Sequence, residues 1–162
     1  MEQGRTVDCP RCAICTLDAH KVKSGKITQM ETAMYIYEKD YIMRMIYGII
    51  QMLAVILFGK KLDAQDLIIA YGDEFKGNND YLLELVDKGE INAAENRLFE
   101  IVETSGMPKD ALGPLILMFY EHVNSKDDDF LAKAGFSREE ILTGLRDAMS
   151  RIGMDVSEYV NI

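Results

Sequence analysis

Residues 80–104 read DYLLELVDKGEINAAENRLFEIVET. Their pattern decides the fold class. Tyr81, Leu82, Leu85 and Val86 fall on one face of a helix, and Gly89 ends it. Ile91, Ala94, Leu98, Ile101 and Val102 then recur at helical spacing up to Thr104. Two apolar stripes of period 3.6, separated by a glycine turn, predict a helical hairpin from Asp80 to Thr104. Ser105-Gly106-Met107-Pro108 stops it. Glycine tolerates the left-handed cap, and proline cannot continue a helix.

The same periodicity extends in both directions. Towards the C-terminus, a helix is predicted over Ala111 to Asn124, with Pro114 in its first turn, where a missing amide proton costs nothing. A short helix follows over Phe130 to Ala134. Ser137-Arg138-Glu139-Glu140 then has the spacing of a capping box and opens a helix that buries Ile141, Leu145, Ala148 and Ile152. Towards the N-terminus, Ala64 to Phe75 reads as a helix broken by Lys76-Gly77-Asn78-Asn79. No segment alternates as a strand does. The expected fold is all-α: one compact domain of about six helices over residues 34–162, a length that supports a real core.

One helix departs from ordinary amphipathicity. It is predicted from about Tyr35 to Phe58 and ends at Gly59, followed by Lys60 and Lys61, which suit a helix C-terminus. Ile42, Ile46, Ile49, Leu53 and Ile56 form one apolar stripe; Met43, Tyr47, Ile50, Ala54 and Leu57 form another. Only Asp40, Arg44, Gly48 and Gln51 make a narrow polar ridge. A helix apolar almost all round must be covered on most sides. The sequence leaves three coverings open: other helices of this domain, a second copy or another protein, and a membrane surface. The uninterrupted run is short of the ~20 residues that span a bilayer. The stripe Ile42, Ile46, Ile49, Leu53 and Ile56 is the candidate interaction surface.

Residues 1–33 have a different character. They hold all three cysteines, a Gly/Lys/Ser stretch and little helical periodicity. They read as a loose or non-native extension, since Met30 and Met34 lie where the helical pattern begins. No apolar signal segment occurs there, so the chain is expected in the cytoplasm. Cys9, Cys12 and Cys15 with His20 present the donor types of a tetrahedral zinc site. A zinc knuckle draws its ligand pairs from separated turns, however, and no separate second CxxC pair exists. No cofactor is therefore assigned.

The charge is −9 overall. The first 33 residues carry five Lys/Arg against four Asp/Glu, so the helical body holds −10. An acidic body repels phosphate, which disfavours nucleic acid. Leu131 to Ile141 has the glycine turn of DNA-binding helix-turn-helix proteins, but its second helix opens with Glu139 and Glu140, the residues that would face the groove. Asp127-Asp128-Asp129 lacks the alternating spacing of a calcium loop and reads as a helix N-terminus. His122, alone in the helical body, reads as a structural residue. No nucleophile motif, phosphate loop or paired carboxylate stands out, so the chain reads as non-enzymatic.

Two resemblances rest on particular residues. Gly89-Glu90-Ile91-Asn92-Ala93-Ala94-Glu95-Asn96-Arg97-Leu98-Phe99-Glu100-Ile101 resembles a tetratricopeptide half-repeat, with Gly89, Ala94 and Leu98 at the family's positions and Pro108 near its terminal proline. It is a lone unit, and solenoids need three or more. Tyr37 to Ile46, Leu57-Phe58-Gly59-Lys60 and Asp87 to Phe99 together resemble a family of small helical proteins from Gram-positive bacteria, a domain of unknown function. That resemblance implies a fold and a cell type. The expected role is a helical module that binds another protein or itself.

Overall fold

The computed structural model describes residues 41–59 and 61–160, which belong to one compact unit. The predicted cysteine cluster, the extension 1–33 and the first residues of the long helix lie outside them. Seven helices and no strand occur among the described residues. They are α1 Tyr41–Phe58, α2 Ala64–Asp87, α3 Ile91–Thr104, α4 Lys109–Asn124, α5 Asp128–Lys133, α6 Arg138–Arg151 and α7 Ser157–Val160. The all-α expectation holds.

α4 is the axis of the fold. Its residues Ala111 to Leu117 are all buried, as are Phe119, Tyr120 and Val123. α2 and α6 pack on it, α3 bridges α2 to α6, and α7 closes on α6. α1 runs antiparallel to α4. Asn124 Nδ2 donates to the Met43 carbonyl at 2.9 Å near one end, and the ring of Phe58 lies against Gly113 at the other. A Cβ on Gly113 would stand 2.2 Å from that ring, so this glycine admits the close approach.

Local chemistry sets several boundaries as expected. Ser137 accepts from the Glu140 amide at 3.2 Å, and Glu140 accepts from the Ser137 amide at 2.6 Å, which completes the capping box. Asp127 caps α5 by accepting from the Phe130 amide, with Asp128 and Asp129 in the first turn. At Gly89 (φ 83°) the amide bonds Val86 and the Glu90 amide bonds Leu85, a Schellman closure of α2.

Other expectations need correction. α2 does not break at Lys76–Asn79; those residues are helical. The departure falls at Gly72, with φ 78° and ψ −161°, a region open essentially to glycine alone. Phe75, Asn79, Leu82 and Val86 are buried at helical spacing across the expected break. Packing of that face outweighs the ~1 kcal/mol that an interior glycine such as Gly77 costs. The hairpin's first arm therefore begins well before Asp80. α4 begins at Lys109, which puts Pro114 in the second turn and removes one backbone bond. Gly113 just before it lacks the Cβ that proline would crowd. α7 has no counterpart in the sequence reading.

Candidate interaction surface

α1 carries two apolar seams. Ile46, Ile50, Leu53 and Ala54 are fully buried, with Ile42, Ile49, Leu57 and Phe58 partly buried beside them. Two polar ties fix this side to α4: the Asn124–Met43 bond, and Gln51 Nε2 donating to Glu121 Oε1 at 3.1 Å. Burial raises the Glu121 carboxyl above the usual range, against the opposing pull of Gln51.

The opposite side is apolar and uncovered by the described residues. Tyr41 is 61% exposed, Val55 49% and Ile56 52%; Tyr47 and Met52 are exposed as well. Tyr41, Met45, Gly48, Met52, Val55 and Gly59 follow one another at spacings of four, three, four, three and four residues. That is the spacing of a coiled-coil seam. Arg44 is the only charged residue from Tyr41 to Phe58, and no acid occurs there. By length and composition this helix could cross a membrane, but much of its inner face lies in the protein core. Clefts flank its N-terminal half. One, of about 410 Å³, is lined by Met43, Arg44, Tyr47, Glu121, Asn124 and Ser125. The other, of about 250 Å³, lies between Ile42 and Met45 of α1, Leu142 and Arg146 of α6, and Val160 of α7.

The predicted stripe divides between these surroundings. Ile46 and Leu53 are in the core, Ile42 and Ile49 are half-buried, and only Ile56 is exposed. The five residues run as one stripe along the border between the inner and outer sides of α1, so the stripe as a whole does not face outward. The predicted polar ridge divides too: Arg44 and Gly48 face out, while Gln51 turns to Glu121. The outward seam was present in the sequence as a four-three spacing. Gly48 within it disguised it as polar. Cys9, Cys12, Cys15 and His20 lie outside the described residues. Among those residues, no group of three or more His, Cys, Asp or Glu is arranged to hold a metal.

The remaining polar clusters lock helices together. The Arg138 guanidinium, nearly buried, donates to Asp128 Oδ1 at 2.9 Å, to Asn124 O and Oδ1 at 2.6 and 2.8 Å, and to Lys126 O at 2.7 Å. It thereby satisfies carbonyls at the C-terminal end of α4. It points inward, while Glu139 and Glu140 are exposed at the same helix start. Asp87 takes a contact from His122 Nε2 at 2.8 Å and one from Lys126 Nζ at 2.5 Å. Hydrogen bonds from these two groups hold its carboxyl below the usual range. Buried Tyr120 donates to Glu95 Oε1 at 2.8 Å beneath Gly144, where a Cβ would meet both groups within 2.4 Å. Burial pushes the Glu95 carboxyl up, and pushes the Tyr120 hydroxyl up as well.

Residues 36–153 match the Family of unknown function (DUF6483). The match covers most of the chain, so the protein belongs to that family. No curated protein and no solved structure matches the chain.

Proposed function

We propose that this member of a family of unknown function is a non-enzymatic helical interaction module of the cytoplasm, and that it docks another protein on the outward face of α1. The carrying observation is the row of exposed apolar residues Tyr41, Met52, Val55 and Ile56 on a helix whose other side packs into the core through Ile46, Ile50, Leu53 and Ala54. Contiguous exposed apolar surface marks interaction sites, whereas scattered exposed residues do not. The absence of acids from Tyr41 to Phe58, in a chain of charge −9, separates this face from the rest of the surface. The α2–α3 hairpin keeps its tetratricopeptide-like Gly89 turn. In this reading it is scaffold, since its buried residues serve the core.

A photo-crosslinking residue placed at Met52, and separately at exposed Asn92 on α3, tests the reading in native lysate. Protein adducts from position 52 and not from 92 are expected. Equal adducts at both, or none at 52, would overturn it. Flotation of the full chain with vesicles, lost on Val55→Asp, would instead make the face a membrane anchor and overturn it in favour of that alternative.

A further inference from the structure

The outward seam of α1 has a property that goes beyond apolarity: it is complementary to itself when reversed. Its positions are symmetric about residue 50. Turning a second copy end for end sets position 41 against 59, 45 against 55, and 48 against 52. The residues there are Tyr41 against Gly59, Met45 against Val55, and Gly48 against Met52. A long side chain meets glycine at two of the three pairings, and methionine meets valine at the third. Knobs need such holes when helices pack at ~8–10 Å.

Gly48 supplies an independent argument. A glycine inside a helix costs about 1 kcal/mol relative to alanine, so an interior helical glycine invites a packing reason. Gly113 and Gly144 have theirs within the chain, under Phe58 and over Glu95 and Tyr120. A Cβ on Gly48 would meet nothing within 4 Å. Nothing among the described residues therefore asks for glycine there, although it sits at the middle of an apolar seam. Gly77 of α2 is equally open, but it lies among Lys76, Asn78 and Asp80.

Charge selects both the occupant and its direction. Two copies of a −9 chain repel on approach, and α1 is a long exposed helical face without an acid. A parallel pairing would stack Arg44 on its symmetry mate. An antiparallel pairing places Arg44 opposite Ile56 and moves the two guanidinium groups apart along the axis by roughly 18 Å, at 1.5 Å per residue. The facing stretch from Leu53 to Gly59 carries no charge, so Arg44 meets neither sign there. We infer that the occupant of this face is a second copy of the chain, seated antiparallel on α1 about a two-fold axis near Ile50. This rests on the reading of the α1 face as a protein-docking surface, and it fixes the partner as a homodimer with one isologous contact.

The test uses the full chain with Cys9, Cys12 and Cys15 replaced by serine, carrying either Met52→Cys or Tyr41→Cys. Both positions are exposed, so neither change disturbs the core. Across an antiparallel pair the two 52 positions lie roughly 10 Å apart and the two 41 positions roughly 27 Å apart along the helices. A bis-maleimide of ~10 Å reach should link Met52→Cys into a dimer at least ten times more efficiently than Tyr41→Cys. Equal linking at both positions means a parallel pair and overturns the orientation, while leaving a protein-docking face intact. A chain that stays monomeric at ~100 µM with natural cysteines, and still yields a foreign protein adduct from position 52, overturns the second copy alone. If position 52 yields no protein adduct in either setting, the underlying reading falls with it.

Discussion

α1 and α4 are the two most continuously apolar helices among the described residues, and they lie side by side, yet those residues wrap only α4. α4 meets α1, α2 and α6, and the polar residues of its last turns are engaged: Glu121 by Gln51, His122 by Asp87, and Asn124 by Arg138 and the Met43 carbonyl. α1 meets α4 on one side and shows Tyr41, Met52, Val55 and Ile56 on the other. The difference teaches that an all-round apolar pattern reports how much surface must be covered in the working state. It does not report by whom. In α4 the covering is intramolecular; in α1 the described residues cover only one side.

The sharpest way to break this comparison is a pair of substitutions two residues apart. Leu53→Asp buries an unpaired carboxylate at a fully buried position and should unfold the domain, at a cost above ~4 kcal/mol. Val55→Asp should change the stability of the monomer by less than ~0.5 kcal/mol. Urea melts of both, at low protein concentration, check the contrast; equal losses would mean that α1 is wrapped on both sides.

Arg138→Ala should come next, at about 3 kcal/mol. It removes the cation that satisfies the end of α4 and leaves Asp128 partly buried without that partner. Because Asn124 also holds the Met43 carbonyl, hydrogen exchange at the start of α1 should accelerate together with that at the end of α4.

Glycines give a contrast of sign. Gly144→Ala forces a Cβ into the Tyr120–Glu95 pair and should destabilise by about 1–3 kcal/mol. Gly48→Ala meets no atom and should stabilise the monomer by up to ~1 kcal/mol, while weakening self-association by filling the hole opposite Met52. Thermal melts at two protein concentrations separate the two effects.

The smallest effect depends on pH. Burial raises the folded-state pKa of Glu95 above its unfolded value. Its protonated form is therefore favoured by folding. That contribution is full below the unfolded pKa and is lost as pH rises through the raised folded pKa. Glu95→Gln keeps an acceptor for Tyr120 and removes the ionisation. The variant should gain stability relative to the native chain as pH climbs from acid to neutral; a constant difference across that range would contradict the assignment.

Much of the fold was legible in the sequence because it was written in local chemistry. The Ser137–Glu140 box, the Asp127 cap and the Gly89 turn each depend on a few adjacent residues, and each appears where expected. The break in α2 was misplaced because Gly77, Asn78 and Asn79 are poor helix formers, while the burial of Phe75 and Asn79 that overrides them is a long-range effect. Four-residue α7 is too short to show periodicity, and Val156 and Val160 are held by packing on the rest of the fold. The candidate surface was half legible. The unusually apolar helix was evident, but its inner and outer seams are both apolar, and only contact with α4 distinguishes Leu53 from Val55.

Sedimentation of the native chain beside Val55→Asp decides whether the outward face of α1 joins two copies. The native protein should run at twice the monomer mass, and Val55→Asp as a folded monomer with unchanged helical signal. A native chain that is monomeric at ~100 µM, or a Val55→Asp variant that remains dimeric, would contradict the account.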